Sequence, residues 1–361
     1  MTKKNLRLAK NPAPPVGWYR ISEKQLSRMM SDMLEQAKSK EIPIPPTVRK
    51  ETGPLHLDYK KLRVLLCSLL PDEDWRTEQI AADEFRRLVK EVISIKARPS
   101  FGMSISQHNP DLIIFMGRPD MISQEDLEAL QSSTAVKSVW LADSDGTSEA
   151  LGRAAACFDH VFTQHSVHIP FYQSVGCRRV THLPFSADPE LFYPKPFDED
   201  YRSDLLIIGD SSKHLYCFKS ILKIAENLKI KVICTDEPYF ELASSGVFDW
   251  ILHPSPAETA NYYNGAGAIV HLEPQVRQLI EAAACGAFQL ASVHPDLYEY
   301  MAPGEDVVIY HSLDELEAKL VYYLDHPDQR RAFSSRALRK SRYDYAYLQM
   351  VYRLLYAVFL P

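Results

Sequence analysis

The sequence has little cysteine and no arrangement of it that marks a disulfide framework or a metal site. Its six cysteines are scattered singly through 361 residues, with no Cys-x-x-Cys pair and no His/Cys spacing typical of metal ligands. Most of them stand inside apolar runs, which predicts small buried side chains in a reducing compartment. They are Cys67, Cys157, Cys177, Cys217, Cys234 and Cys285.

The chain also lacks an excess of positive charge and a long apolar run. Its formal net charge of -6 gives no general electrostatic reason to bind nucleic acid, so we expect no nucleic-acid partner. No stretch approaches the roughly 20 apolar residues that cross a bilayer. The basic segment Met1–Lys10 leads into Asn11–Pro15, which is proline-rich, and not into an apolar signal-peptide core. We therefore expect no transmembrane segment, no secretory signal and a cytoplasmic location.

A glycine-rich phosphate loop is missing as well. None follows the first predicted strand, which ends at Ser68, so neither a P-loop nor a G-x-G-x-x-G dinucleotide site is indicated. The sequence thus argues against kinases and nicotinamide-dependent oxidoreductases.

The composition is that of an ordinary folded protein, with 46% hydrophobic and 24% charged residues. At 361 residues we expect two domains with a cleft between them. Residues 1–60 differ from the rest: Ser22–Lys40 has apolar residues at helical spacing, and Ile42–Pro46 is rich in proline. We predict an N-terminal extension that either packs on the body or mediates self-association.

Short apolar runs then alternate with amphipathic segments, which predicts parallel sheets covered on both faces. The predicted domains are residues 61–196 and 197–340, followed by a C-terminal helix at 341–361 that returns to the first domain. The proline-rich stretch Pro184–Tyr201 is the predicted hinge. In the first half we predict strands at Arg63–Ser68, Asp111–Met116, Lys137–Ala142, His160–Thr163 and Arg179–Leu183, with helices at Thr77–Val92 and Ser123–Ser132. In the second half we predict strands at Asp204–Gly209, Lys231–Cys234, Ala268–His271 and Ala287–Leu290, with helices at Leu215–Asn227, Ala257–Asn264 and Val276–Ala284.

The stretch from Gly265 to Phe288 is the most informative for function. Glu273 lies in the loop after a predicted strand, and Glu281 follows after seven residues, inside the next helix. Ligands of open α/β sheets bind at the carboxyl ends of strands, so this loop and helix start should face the cleft. The helix N-terminus suits a diphosphate, with Arg277 adding a bidentate contact, and Glu281 suits the two ribose hydroxyls of a nucleotide. Spacing alone equally allows Glu281 to pair locally and Glu273 to be a solvated loop acid.

This E-x7-E arrangement, with Ala284-Cys285-Gly286 after it, resembles the donor-site motif of retaining GT-B glycosyltransferases. More narrowly, residues 100 to about 355 resemble the CgeB-like family of glycosyltransferases named after a spore maturation protein. The similar segments are Phe158–Thr163, Gly176–Arg179, Leu183–Phe192, Asp204–Gly209, Glu281–Leu290, Ala302–Val307 and His326–Arg331.

The resemblance implies a GT-B fold, in which two doubly wound Rossmann-like domains face a central cleft. It implies a nucleotide-sugar donor on the second domain and an acceptor on the first, which is a glycan, a protein or a cell- or spore-surface component. Transfer should be retaining and independent of metal. One departure stands out: the family commonly has arginine three residues before the second glutamate, whereas this chain has Gln278 there and Arg277 beside it.

The candidate site residues follow from the motif, the resemblance and the strand ends. Glu273 is the candidate catalytic acid, and the family's paired acids after the tryptophan-bearing strand correspond to Asp143 and Asp145. The predicted donor-binding residues are Gly209, Lys213, His214, His253, Arg277 and Glu281. Gly117 and Arg118 are predicted to line the acceptor side.

Two alternatives remain. Asp143-x-Asp145 after an apolar strand is also how GT-A glycosyltransferases, which have a single domain, hold Mn²⁺ or Mg²⁺ on the donor diphosphate. The altered arginine position and the N-terminal extension would also suit a GT-B-shaped protein without catalysis, acting in binding or assembly of a surface layer.

Overall fold

The computed structural model describes residues 58–70, 75–96, 101–141, 147–294 and 297–359, all within one compact unit. The predicted N-terminal extension lies almost wholly outside these residues, and so do Asp143 and Asp145.

Six parallel strands form the first sheet, in the order β2-β1-β3-β4-β5-β6. The strands are β1 (Arg63–Ser68), β2 (Glu91–Lys96), β3 (Leu112–Met116), β4 (Val136–Leu141), β5 (His160–Thr163) and β6 (Val180–His182). The helices of this lobe are α1 (Trp75–Leu88), α2 (Gly102–His108), α3 (Gln124–Ser132), α4 (Glu149–Ala155) and α5 (Ile169–Ser174).

The apolar strands are buried on both faces of this sheet. Along β1, Val64 and Leu66 belong to one core cluster, while Leu65 and Cys67 belong to the cluster on the opposite face. Successive strand side chains point to opposite faces, so a strand apolar at every position needs helices on both sides. The same division recurs in β3, which confirms the interpretation of these runs as interior parallel strands.

Local signals place some helix boundaries correctly and others wrongly: the helix predicted at Leu215–Asn227, for example, ends at Leu222. The hydroxyl of Ser123 accepts a hydrogen bond from the amide of Asp126 and caps α3, which begins one residue after the predicted start at Ser123 and ends at Ser132 as predicted. The helix predicted to reach Val92 ends instead at Leu88, because Glu91–Lys96 forms an edge strand paired with β1. Val89 and Val92 continue the three-residue apolar spacing of α1, so the start of β2 was predicted as part of the helix.

A second parallel sheet has the order β12-β11-β10-β7-β8-β9. Its strands are β7 (Leu205–Ile208), β8 (Ile230–Cys234), β9 (Phe248–Leu252), β10 (Ile269–His271), β11 (Gln289–Ser292) and β12 (Val308–Tyr310). Its helices are α6 (Leu215–Leu222), α7 (Phe240–Ala243), α8 (Pro256–Gly265), α9 (Val276–Ala284), α10 (Leu297–Tyr300) and α11 (Leu313–Asp325).

Two long helices end the chain, α12 (Pro327–Asp344) and α13 (Tyr347–Phe359). Helix α13 packs against α1, and its residues Met350, Leu354 and Val358 join the core on one face of the first sheet. The chain therefore crosses from the second sheet back to the first. Within the described residues, no helix combines the length and apolar character needed to cross a membrane.

Candidate functional site

Each sheet has a switch point, where the strands that follow a central strand are added first on one side of it and then on the other. In the second sheet, β8 lies on one side of β7 and β10 on the other. In the first sheet, β2 lies on one side of β1 and β3 on the other. Ligands of open α/β sheets bind at the carboxyl ends of strands at such switch points. The second-sheet switch point therefore lies between the ends of β7 and β10, where Gly209 and Glu273 were predicted to act.

A pocket of about 210 Å³ occupies this place. It brings together three predicted site residues, Gly209, Lys213 and Glu273. Its full lining is Ile208, Gly209, Asp210, Lys213, Ile233, Cys234, Thr235, Glu273, Gln275 and Gln278.

Gly209 is the first residue after β7, and its backbone requires glycine. Its φ of +147° lies where L side chains are rarely found, and a Cβ there would come within 2.9 Å of the Cβ of Leu272. The absence of a side chain lets the loops after β7 and β10 approach each other closely, so the backbone itself lines the pocket.

Asp210 follows Gly209 and ties the β7 loop to the β8 loop. Its carboxylate accepts hydrogen bonds from the amide of Thr235 at 2.7 Å, from the Thr235 hydroxyl at 2.8 Å and from the amide of Asp236 at 3.2 Å. Burial alone would raise the pKa of Asp210, but these bonds and the charge of Lys213 outweigh it, so the pKa lies below its ordinary value. Asp210 was not among the predicted residues, although its place directly after a strand was a usable signal.

Glu273 is half-exposed and lies among cationic and potentially cationic groups. Its Oε2 is 3.5 Å from the ammonium of Lys213 and 3.8 Å from Nε2 of His214. Lys213 is also 3.9 Å from Asp210. Among the residues that the structure describes, His214 Nε2 has no hydrogen-bond partner although it is buried. The predicted donor-site residues Lys213, His214 and Glu273 therefore form one charged cluster.

Helix α9 begins beside this cluster at Val276, as predicted. Gln275 at its cap position makes no side-chain capping bond, and the start of a helix carries positive potential. Gln278, in this first turn, lines the pocket, and its buried Oε1 has no hydrogen-bond partner among the described residues.

Two other predicted residues of α9, Arg277 and Glu281, are half-buried and do not line the pocket itself. Glu281 lies on the side of α9 that faces α8. Burial of Tyr263, a residue of α8, raises the pKa of its phenol, and the negative charge of Glu281 raises that pKa further.

The remaining predicted residues lie apart from the pocket. His253 follows β9 with a φ of +48°; its amide donates to the carbonyl of Cys234 and its side chain is exposed. Gly117 follows β3 at the first-sheet switch point, with a φ of +116°, and its amide donates to Trp140. Arg118 is exposed and pairs with Asp120 at 2.7 Å. The predicted acceptor-side residues Gly117 and Arg118 therefore belong to the first lobe, and the predicted donor-side residues belong to the second.

Comparisons with known proteins agree with this architecture. Residues 217–355 match a family described as glycosyl transferase-like. The spore protein CgeB of Bacillus subtilis is 21% identical over 258 residues, which cover 63% of this chain and 77% of that protein.

Similar solved structures share 12–13% identity with the chain. They include a glycosyltransferase from Rickettsia africae, with a TM-score of 0.61 over 82% of this chain and 97% of that one. Sucrose-phosphate synthase from Thermosynechococcus elongatus has a TM-score of 0.56 over 82% of this chain and 100% of that one. HepE from Anabaena, solved with UDP-glucose, has a TM-score of 0.55 over 81% and 98%.

These likenesses show the fold, and its two sheets overturn the single-domain GT-A alternative. The family match covers residues 217–355, and a longer part of the chain is similar to CgeB, so the comparisons support a glycosyltransferase. In fold the chain is a two-domain α/β protein of the GT-B type.

Proposed function

We propose that this protein transfers a sugar from a nucleotide-sugar donor bound at the switch point of the second sheet. The observation that carries the proposal is the pocket between the ends of β7, β8 and β10, in which Glu273 and Lys213 meet the start of α9. A donor in this pocket would have its diphosphate close to positive potential and its sugar close to a carboxylate.

The donor diphosphate would be held by the first-turn amides of α9 together with Lys213 and Arg277. A helix N-terminus favours anions through its free amides and its dipole. As the sugar leaves, negative charge develops on the diphosphate, and these groups stabilise it without a metal ion. We therefore infer that transfer is independent of metal.

Glu273 would contact the donor sugar, and Glu281 would accept hydrogen bonds from the ribose hydroxyls. The resemblance of the two glutamates to the E-x7-E donor-site motif of retaining GT-B glycosyltransferases favours retention of the anomeric configuration. Support for a nucleotide sugar comes from HepE, a protein of the same fold that has been solved with UDP-glucose. Asp143 and Asp145, which lie outside the described residues, are proposed to act in catalysis as the family's paired acids.

The acceptor would bind against the first sheet, where Gly117 and Arg118 follow β3. The likeness to a spore protein favours an acceptor at a cell or spore surface, either a glycan or a protein. Residues 1–60 would either pack on the body or mediate self-association. The hinge in Pro184–Tyr201 would close the cleft and exclude water during transfer.

The testing experiment is a thermal-shift series with UDP, GDP, CMP and dTDP and with their common sugar conjugates. A ligand of the native state raises the melting temperature by mass action. We expect one nucleotide to raise it, and the matching sugar nucleotide to be hydrolysed slowly by the purified protein. Binding without turnover or hydrolysis would favour the catalytically inactive alternative, and no shift with any nucleotide would reject the donor site.

A further inference from the structure

Two hydroxyl groups hold the backbone immediately before Glu273. The phenol of Tyr310 donates a hydrogen bond of 3.0 Å to the carbonyl oxygen of His271. The hydroxyl of Ser292 donates one of 2.9 Å to the carbonyl oxygen of Leu272. Ser292 and Tyr310 are the last residues of β11 and β12 and are partners in the strand register. Side chains of two neighbouring strands thus fix the last two carbonyls before the chain reaches Glu273.

The opposite side of this segment is fixed as well. The amide of Leu272 donates a hydrogen bond of 3.0 Å to the carbonyl of Ile208 in β7. Residue 272 is therefore held by its amide to one neighbouring strand and by its carbonyl to another. Pro274 is buried and follows Glu273 directly. Its ring fixes its own φ angle and so restricts the backbone on the C-terminal side of Glu273.

These restraints matter because the Glu273 side chain is 53% exposed and belongs to neither a helix nor a strand. Its direction is set by the backbone on each side of it. Burial raises the pKa of the Tyr310 phenol, which therefore keeps its proton and remains a donor throughout the physiological range.

We propose that Ser292 and Tyr310 are positioning residues that aim the Glu273 carboxylate at the reacting sugar; this rests on the proposed role of Glu273 in transfer. The neighbouring loop is held separately, through Asp210 and Thr235. Loss of either hydroxyl should therefore change the position of the Glu273 carboxylate more than it changes the affinity for the nucleotide.

The activity test uses Tyr310→Phe and Ser292→Ala, each of which removes a hydroxyl with little change of shape. Tyr323→Phe is the matched control, since that ring packs in the same core against Phe288 and Phe333. We expect turnover to fall about tenfold in both test variants with nucleotide affinity within about twofold, because small misplacements of a reacting group cost rate. Ser292→Thr, which keeps the hydroxyl, should retain turnover.

A double-mutant comparison shows whether the effect runs through Glu273. On a Glu273→Gln background, Tyr310→Phe should cause no further loss, since residues that act through one group are not additive. Full turnover in Tyr310→Phe and Ser292→Ala, or a further tenfold loss in the double variant, would overturn the proposal.

Hydrogen exchange of the amides of Glu273 and of residues 275–278 in the free protein tests the same idea without turnover. Tyr310→Phe and Ser292→Ala should exchange these amides faster than wild type and Tyr323→Phe. Unchanged exchange overturns the positioning role whatever the turnover. Faster exchange in a protein that transfers no sugar would reject the proposed function while keeping the restraint on the Glu273 loop.

Discussion

Nε2 of His182 lies 2.8 Å from the phenol oxygen of Tyr300. The same phenol donates a hydrogen bond of 2.8 Å to the carbonyl of Gln164, and Nδ1 of His182 is 3.0 Å from Oε1 of Glu299. His182 ends β6 of the first sheet, whereas Glu299 and Tyr300 belong to α10, after β11 of the second. One histidine therefore joins the two lobes through both of its ring nitrogens.

This junction should contribute measurably to stability. Tyr300→Phe removes the phenol and its hydrogen bonds to the carbonyl of Gln164 and to His182, although that carbonyl has a second partner in Nε2 of His182 at 3.2 Å. Losing a hydrogen bond of this kind costs about 0.5–1.5 kcal/mol, which urea unfolding would measure. Tyr298→Phe is the control, because that side chain is 53% exposed on the same helix. Equal stability of the two variants would show that the junction is not held by this phenol.

Glu273→Gln should separate turnover from binding. The substitution keeps the shape of the side chain and removes its charge, which lies within 4 Å of Lys213 and His214. Losing an interaction made mainly in the transition state lowers kcat with little change in affinity. We expect turnover to fall by about 10² or more and the nucleotide Kd, measured by calorimetry, to change by less than about threefold. Equal losses in both would place Glu273 in ground-state binding.

Glu281→Ala should weaken nucleotide binding while the protein stays folded. Removing a hydrogen bond to a charged group costs about 1.5–3 kcal/mol, or roughly ten- to a hundredfold in Kd. Glu226→Ala, at an exposed position of the same lobe, serves as the control. A nucleotide affinity equal to that of the control would remove Glu281 from the site.

Transfer should survive removal of divalent metal. If the α9 amides, Lys213 and Arg277 stabilise the leaving diphosphate, EDTA should leave the rate within about threefold of the untreated value. Asp143→Asn and Asp145→Asn should likewise leave nucleotide binding intact. Loss of activity that Mn²⁺ restores would assign the Asp143-x-Asp145 pair to a metal site instead.

The sequence predicted the interior of the fold better than its edges. Continuous apolar runs indicate buried parallel strands directly: a strand was predicted at Asp111–Met116, and β3 spans Leu112–Met116. Of the edge strands, β6 was predicted, whereas β2, β9 and β12 were not. Strands β2 and β9 are half-exposed and of mixed composition, and β12 has only three residues. Helix α9 was predicted with its observed bounds because its apolar periodicity is strong and Gly286 follows it.

The candidate site divides in a similar way. Gly209, Lys213 and Glu273 were predicted together because they follow strands that the topology brings side by side. Asp210 was not predicted as a pocket residue although it directly follows the predicted strand Asp204–Gly209. Gln278 was not predicted as one because its orientation depends on helix rotation, which no spacing rule encodes. His253 was predicted as a strand-end residue although no strand had been predicted before it. It follows β9, which lies at one edge of the sheet, away from the switch point.

His271, the last residue of β10, should make the protein less stable in acid. It is fully buried, and its Nε2 lies 2.9 Å from Oε1 of Gln289, whose amide group donates to the carbonyl of Leu279. The Gln289 oxygen is thus the acceptor, and the neutral His271 ring donates through Nε2. Burial lowers the pKa of His271 from 6.5 to about 4, although the bond to Gln289 opposes this shift.

Because the folded state binds this proton less readily than the unfolded state, the stabilising effect of neutral His271 is complete above pH 6.5 and decreases as the pH falls toward 4. Each pKa unit corresponds to about 1.4 kcal/mol, so the loss should approach roughly 3 kcal/mol. NMR of the imidazole signals should show no titration of His271 above about pH 5, and His271→Asn should reduce the slope of unfolding free energy against pH over this range. A His271 titration midpoint near 6.5 would contradict the prediction, because burial would then not oppose protonation of the ring.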